Sequence, residues 1–157
     1  MRNKFSVSAI IEENVTIGED TFIWYFTHVM SGVKIGRKCS VGEKSFIGRG
    51  VLVGDNVKIG NNVNIYEGAI IKDNVFIGNN VSFTNVRKPK AQIKAKKFLN
   101  TLIEDGVSIG ANATIVGGVK IGKDSVVADG SVVIKNIPDG VFVAGNPATI
   151  VKKENHE

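Results

Sequence analysis

Residues 51–83 read VLVGDNVKIGNNVNIYEGAIIKDNVFIGNNVSF, and in them Val53, Ile59, Ile65, Ile71, Ile77 and Phe83 stand six apart. Two residues before each anchor is a small or β-branched residue: Val51, Val57, Val63, Ala69, Val75 and Val81. Residues two apart in an extended segment share a face, so both sets point the same way. Three residues after the anchors stand Asn56, Asn62, Gly68, Asn74 and Asn80, types that tolerate left-handed backbone. Each hexad is therefore expected to be a short strand followed by a sharp corner.

The same rhythm extends outward. It reaches back through Ile47, Val41, Ile35, Val29, Ile23, Ile17 and Ile11. After Phe83 it stops for one interval of 20 residues, then resumes at Ile103, Ile109, Ile115, Ile121, Val127 and Val133. Within these runs only Phe26, Lys38 and Lys44 hold the corner position without being a turn-forming type. Such a repeat is the mark of a solenoid, and three hexads close a triangular coil of 18 residues. The expected fold is all-β: a parallel β-helix with one protruding loop over 84–102 and a short C-terminal cap over 137–157. Cys39 falls in the inward column and is read as core.

Composition agrees with one domain over residues 1–157. The chain is 43% hydrophobic and 22% charged, with 18 Gly and 3 Pro, which excludes disorder and collagen. No apolar run approaches the roughly 18 to 20 residues of a membrane span, and Glu12 and Glu13 interrupt the start before a leader could form. A cytoplasmic protein with no membrane partner is expected, and a single cysteine fits a reducing compartment. The net charge is +5, yet Thr84 to Asn100 alone holds Arg87, Lys88, Lys90, Lys94, Lys96 and Lys97 without one acid. Such a patch suits nucleic acid, solvent or a small polyphosphate.

Stacking residues 18 apart sorts the chain into three faces and three corners. Two corners open mostly with glycine, as at Gly18, Gly36 and Gly54, or Gly42, Gly60 and Gly78. The third opens with Met30, Gly48, Tyr66 and Thr84, followed by Ser31, Arg49, Glu67 and Asn85. Function is expected where polar groups break the repeat, and the basic insertion leaves this corner directly after Asn85. Treating the insertion as 14 extra residues in one hexad brings Gly117 and Lys135 into the column of Asn85. The competing reading is a surface ladder of polar side chains.

Four stretches carry a family resemblance: Tyr66-Glu67-Gly68; Phe83-Thr84-Asn85-Val86 with its basic, proline-containing loop; Ile109-Gly-Ala-Asn-Ala-Thr-Ile-Val116; and Ala144-Gly-Asn-Pro-Ala148. Together they resemble the hexapeptide-repeat acyltransferases that N-acetylate nucleotide-linked amino sugars, and among these the enzymes acting on a 3-amino group. The resemblance implies a left-handed helix, although parallel crossovers in general are right-handed. It implies a homotrimer with sites at subunit interfaces, acetyl-CoA along a corner, and a dTDP- or UDP-linked amino sugar as acceptor. A 3-amino-3,6-dideoxyhexose or a 3-amino uronate would serve cell-surface polysaccharide synthesis, as in lipopolysaccharide O-antigen or an S-layer.

In such enzymes the residues matching Glu67 and Asn85 orient the amine, and the departing sulfur accepts the proton. His28 is the further candidate, for acid/base work or nucleotide contact. Acceptor contacts fall on Met30, Ser31, Arg49, Tyr66, Arg87 and Lys88. Contacts to acetyl-CoA fall on Gly117, Lys135, Asn146 and Pro147, with Lys152 and Lys153 as phosphate partners. Neither a metal nor nucleic acid is implied. A zinc carbonic anhydrase of the same solenoid type needs three histidine ligands, whereas this chain has only His28 and His156. A non-catalytic β-helix scaffold is the remaining competitor. Trp24, Tyr25 and Phe26 form either a base-stacking site, a subunit contact or an aromatic end.

Overall fold

The computed structural model describes residues 4–151. Its strands, mostly two residues long, form two wholly parallel sheets of seven and six strands and a third of nine whose last pair alone is antiparallel. Each strand bonds to the one a coil later, as Ile47 with Ile65 and Ile59 with Ile77. Outside the insertion, every corner position from Asn14 to Gly130 has positive φ, including the three that break the residue pattern: Phe26 at 57°, Lys38 at 56° and Lys44 at 55°. Closure of the coil imposes the left-handed corner even where the side chain disfavours it.

Both inward columns are buried. Ile23, Val29, Val41, Ile47, Ile65, Ile77, Ile109 and Ile115 are fully enclosed, with Val33, Val51, Val57 and Val63 beside them. Burying one such side chain stabilises by roughly 1.5–3 kcal/mol. Polar members of the inner column mostly satisfy themselves on the backbone, the buried Ser131 hydroxyl being the exception among the described residues. Thr27 Oγ1 donates to Gly42 O at 2.7 Å, and Ser45 Oγ donates to Gly60 O while accepting from Val63 N–H. Cys39 follows the same rule, its Sγ donating to Gly54 O at 3.1 Å and accepting from Val57 N–H. Burial raises its thiol pKa above the ordinary value, against the Val57 and Thr21 hydrogen bonds that lower it.

The insertion leaves the register intact, since Ile71 pairs with Ile103, Ile77 with Ile109 and Phe83 with Ile115. It is shorter than the expected 84–102, because Thr101–Ile103 is a strand whose first N–H donates to Gly68 O. The protrusion is therefore 84–100. Its neck is closed by Leu99 N–H donating to Asn85 O at 2.8 Å.

The ends differ from the rhythm for identifiable reasons. The helix starts one hexad earlier than the repeat suggests: Lys4–Phe5 pairs with Phe22–Ile23. Phe5 is exposed, its strand being the edge of its sheet among the described residues. At the other end the last coil is two residues shorter, so Ile137 pairs with Ile121 and Val143 with Val127. Phe142–Gly145 thus still belongs to the helix, and the closing element is the antiparallel return Ala148–Ile150.

Candidate active site

At two corners the polar side chains are consumed by the fold. Asp55 Oδ1 accepts from Arg37 N–H at 2.7 Å, Asp73 from Asp55 N–H and Asp105 from Asp73 N–H. Asn61, Asn79 and Asp129 do the same at the next corner, for the N–H groups of Glu43, Asn61 and Ala111. Each caps one backbone donor that would otherwise lack a partner. The third corner breaks this rule at Arg49, Glu67 and Asn85, none of which caps an amide. Arginine has no acceptor to offer. Asn85 instead donates through Nδ2 to Glu67 O at 3.0 Å.

That bond fixes the Asn85 amide and leaves its Oδ1 without a hydrogen-bond partner among the described residues, as is the Glu67 carboxylate. Both line a cleft of about 320 Å³, together with Met30, Phe46, Gly48, Arg49, Tyr66 and Phe98. Two acceptors side by side, with an apolar floor, suit an N–H-bearing group on a partly apolar body. Arg49, exposed, with no direct salt bridge among the described residues but close enough to Glu12 to favour its charged form, is the only cation of the lining.

One coil further, Gly117 lies directly beneath Asn85. Its N–H donates to Thr84 Oγ1 at 3.0 Å, and a Cβ there would stand 2.6 Å from Thr84 O and 2.9 Å from Asn85 Cα. Gly117 opens a second cleft of about 660 Å³, lined by Arg87, Val116, Gly118, Val119, Ile134, Lys135 and Asn136. Lys135 continues into a third of about 340 Å³, which reaches Pro147, Ala148 and Ile150. The three hollows follow one corner of the helix. Another hollow, beside Phe76, Val126 and Phe142, has one ionisable residue, Asp129, whose carboxylate is already used as a cap.

The structure thus brings Met30, Arg49, Tyr66, Glu67 and Asn85 into one cleft, and Gly117, Lys135 and Pro147 along its continuation. Arg87, expected on the acceptor side, lines the Gly117 cleft instead, because the chain turns toward the next coil after Asn85. Lys88 and Asn146 line none of these hollows. Ser31 is also absent from them; its N–H is taken by Glu12 Oε2 at 2.8 Å.

His28 does not reach the cleft. Its Nε2 sits 2.8 Å from Glu12 Oε1, and its ring packs edge-on against Phe46, which in turn meets Tyr66. Phe46 therefore stands between them. The Ser31 N–H bond, then the His28 bond, hold the Glu12 carboxyl below its ordinary value, against some desolvation. Lys152, Lys153 and His156 lie outside the described residues.

Sequence reasoning missed Phe46, Phe98 and Glu12. Phe46 precedes the anchor Ile47 as His28 precedes Val29, so its place beside the corner was readable. Phe98 was not, since no periodicity fixes the return path of the loop.

A protein family described as bacterial transferase hexapeptide (six repeats) matches residues 9–49, 50–85 and 100–135, and the hexapeptide repeat of succinyl-transferase matches 32–67. Over 51 residues, 32% of this chain, it is 67% identical to 2,3,4,5-tetrahydropyridine-2,6-dicarboxylate N-acetyltransferase of Clostridium perfringens. Over 52 residues it is 50% identical to the protein of the same name from Staphylococcus aureus. The alignments span 22% of the length of those proteins. Among solved structures, a hexapeptide-repeat acetyltransferase of Vibrio cholerae complexed with acetyl-CoA is 31% identical, with a TM-score of 0.58 over 77% of this chain and 70% of that one. The acetyltransferase domain of PglB from Neisseria gonorrhoeae, 21% identical with a TM-score of 0.50 over 94% of this chain and 56% of that one, shares the fold. With the six-residue rhythm and its unbroken register, these matches place the chain in the bacterial transferase hexapeptide family, with that family's left-handed parallel β-helix.

Proposed function

We propose that the chain transfers the acetyl group of acetyl-CoA to the 3-amino group of a dTDP-linked 3-amino-3,6-dideoxyhexose. The observation that carries this reading is the pair of unspent acceptors, Glu67 and Asn85 Oδ1, in a mostly apolar cleft that runs into a basic groove. The amine donates its N–H bonds to these two oxygens, which turns its lone pair toward the thioester carbonyl. Nitrogen bonds to the carbonyl carbon, the C–S bond breaks, and the amine proton passes to the leaving sulfur. The products are an acetamido sugar and free CoA, and no protein base is required. His28, held by Glu12 behind Phe46, takes no part in the transfer.

Acetyl-CoA lies along the Gly117 and Lys135 groove toward Pro147, where Arg87 and Lys135 offset its phosphate charge. The working unit is a homotrimer, in which a neighbouring copy covers exposed Trp24, Tyr25 and Phe26. A dicarboxylate acceptor of the kind named for the Clostridium perfringens relative fits this cleft poorly: Arg49 is its single cation, and Glu67 would repel a second anion. Arg49 is also the observation that favours a second reading, a UDP-linked 3-amino uronate, whose one carboxylate it would meet.

The test is a turnover screen with acetyl-CoA against dTDP-3-amino-3,6-dideoxyhexoses, UDP-3-amino-glucuronate and tetrahydropyridine dicarboxylate. Free CoA release with the deoxy sugar supports the proposal. Turnover of the dicarboxylate alone overturns it.

A further inference from the structure

The loop that leaves after Asn85 returns a side chain to the same cleft. We propose that Phe98 sets acceptor specificity, selecting a methyl-bearing amino sugar over one with a hydroxymethyl or carboxylate at the same carbon; this rests on the acceptor reading given above.

Phe98 is held by its neighbour. Leu99 N–H donates to Asn85 O at 2.8 Å, the Leu99 carbonyl lies against Gly68, and the Leu99 side chain packs 3.7 Å from the Cβ position of Gly118. Gly68 and Gly118 have φ of +97° and +89°, and a Cβ on Gly68 would stand 2.5 Å from Leu99 O. Two bare corners thus form the seat of Leu99, and the residue before it is delivered to the cleft at a fixed height. The basic residues between Arg87 and Lys97 are exposed, whereas Phe98 closes a wall shared with Met30, Phe46 and Tyr66.

Phe98 keeps 36% of its surface, so its ring is available to a ligand. Glu67 and Asn85 grip the amine at one rim, which directs the rest of a sugar ring across this wall. A methyl group there gains contact, while a hydroxyl loses water and finds among the four side chains only the Tyr66 hydroxyl and the weakly accepting Met30 sulfur. An apolar pocket distinguishes such groups by roughly 10- to 100-fold.

The test is steady-state kinetics of wild type, Phe98→Ala and Phe98→Leu with one matched pair of dTDP-3-amino sugars, C6 methyl and C6 hydroxymethyl. The wild type is expected to favour the methyl sugar in kcat/KM. In Phe98→Ala that preference should fall by about 10-fold or more, with KM for acetyl-CoA unchanged, and Phe98→Leu should restore part of it. An unchanged preference in Phe98→Ala, or an equal loss for both sugars, refutes the assignment while leaving the acceptor reading intact. A wild type that acetylates neither sugar refutes the acceptor reading, and this assignment with it.

Discussion

Gly117→Ala tests whether the stacking of two coils sets the reacting geometry. The backbone of Gly117 is not in the left-handed region, so alanine is refused only by space: its Cβ would stand 2.6 Å from Thr84 O and 2.9 Å from Asn85 Cα. Reaching ordinary contact requires the coils to part by roughly 0.8 Å at this corner, an overpacking strain of about 1–3 kcal/mol. Displacements near 1 Å cost about 10²-fold in rate when they fall on a reacting group. Gly78→Ala supplies the control. Its Cβ would meet Ala111 N at 2.7 Å, between the same two coils but at another corner. Both variants should lose similar stability, a drop in Tm of roughly 2–10 °C. Only Gly117→Ala should lose kcat by about 30- to 100-fold. Wild-type kcat in Gly117→Ala, or an equal kcat loss in Gly78→Ala, refutes the claim that coil spacing at Asn85 controls the chemistry.

Other substitutions separate the remaining roles. Asn85→Ala should lower kcat more than Glu67→Gln, which keeps a hydrogen-bonding oxygen, and His28→Ala should be mild; loss of about 10² to 10⁴ in kcat from Glu67→Gln would make Glu67 a general base. Arg87→Ala should raise KM for acetyl-CoA and leave the acceptor KM unchanged, with the reverse pattern returning Arg87 to the acceptor side. Glu12 has a lowered native pKa, so its stabilising contribution is complete above its ordinary value of 4.5 and disappears as pH falls through the lower folded value. Thermal melts of wild type and Glu12→Gln should therefore differ at neutral pH and converge in acid, and a constant difference would remove the linkage.

How far the sequence could be read depends on what each residue answers to. Coil closure is a periodic constraint, so Ile23, Ile65 and Ile115 announced the core, and even Phe26 and Lys44 took the backbone that their columns demanded. Glu67 and Asn85 were readable because they follow the one corner that does not open mostly with glycine, the insertion leaves directly after Asn85, and both lie in stretches that carry the family resemblance. The hydrogen bond that frees Asn85 Oδ1 was not, since a ladder of surface caps at Asp55, Asp73 and Asp105 has the same polar look in sequence. Arg87 lines the Gly117 hollow rather than the Glu67 cleft for a related reason: beyond Asn85 the chain leaves the repeat, and direction is then decided by contacts such as Leu99 on Gly118. The short last coil, in which Ile137 of the expected cap pairs with Ile121, likewise answers to end closure.

The neck at Asn85 and Leu99 makes the protrusion a detachable part. Its two feet are already joined by one hydrogen bond, and the strands on either side keep their partners regardless of what is threaded between them. Lengthening a surface excursion changes its closure entropy only slowly, by about 0.6 kcal/mol per doubling. Selection can therefore revise what this segment carries, its charge, its reach and the side chain beside the clasp, with little penalty to the prism that supports it. A chimera that exchanges residues 86–98 between such proteins should inherit the ligand preference of the donor and the melting behaviour of the host.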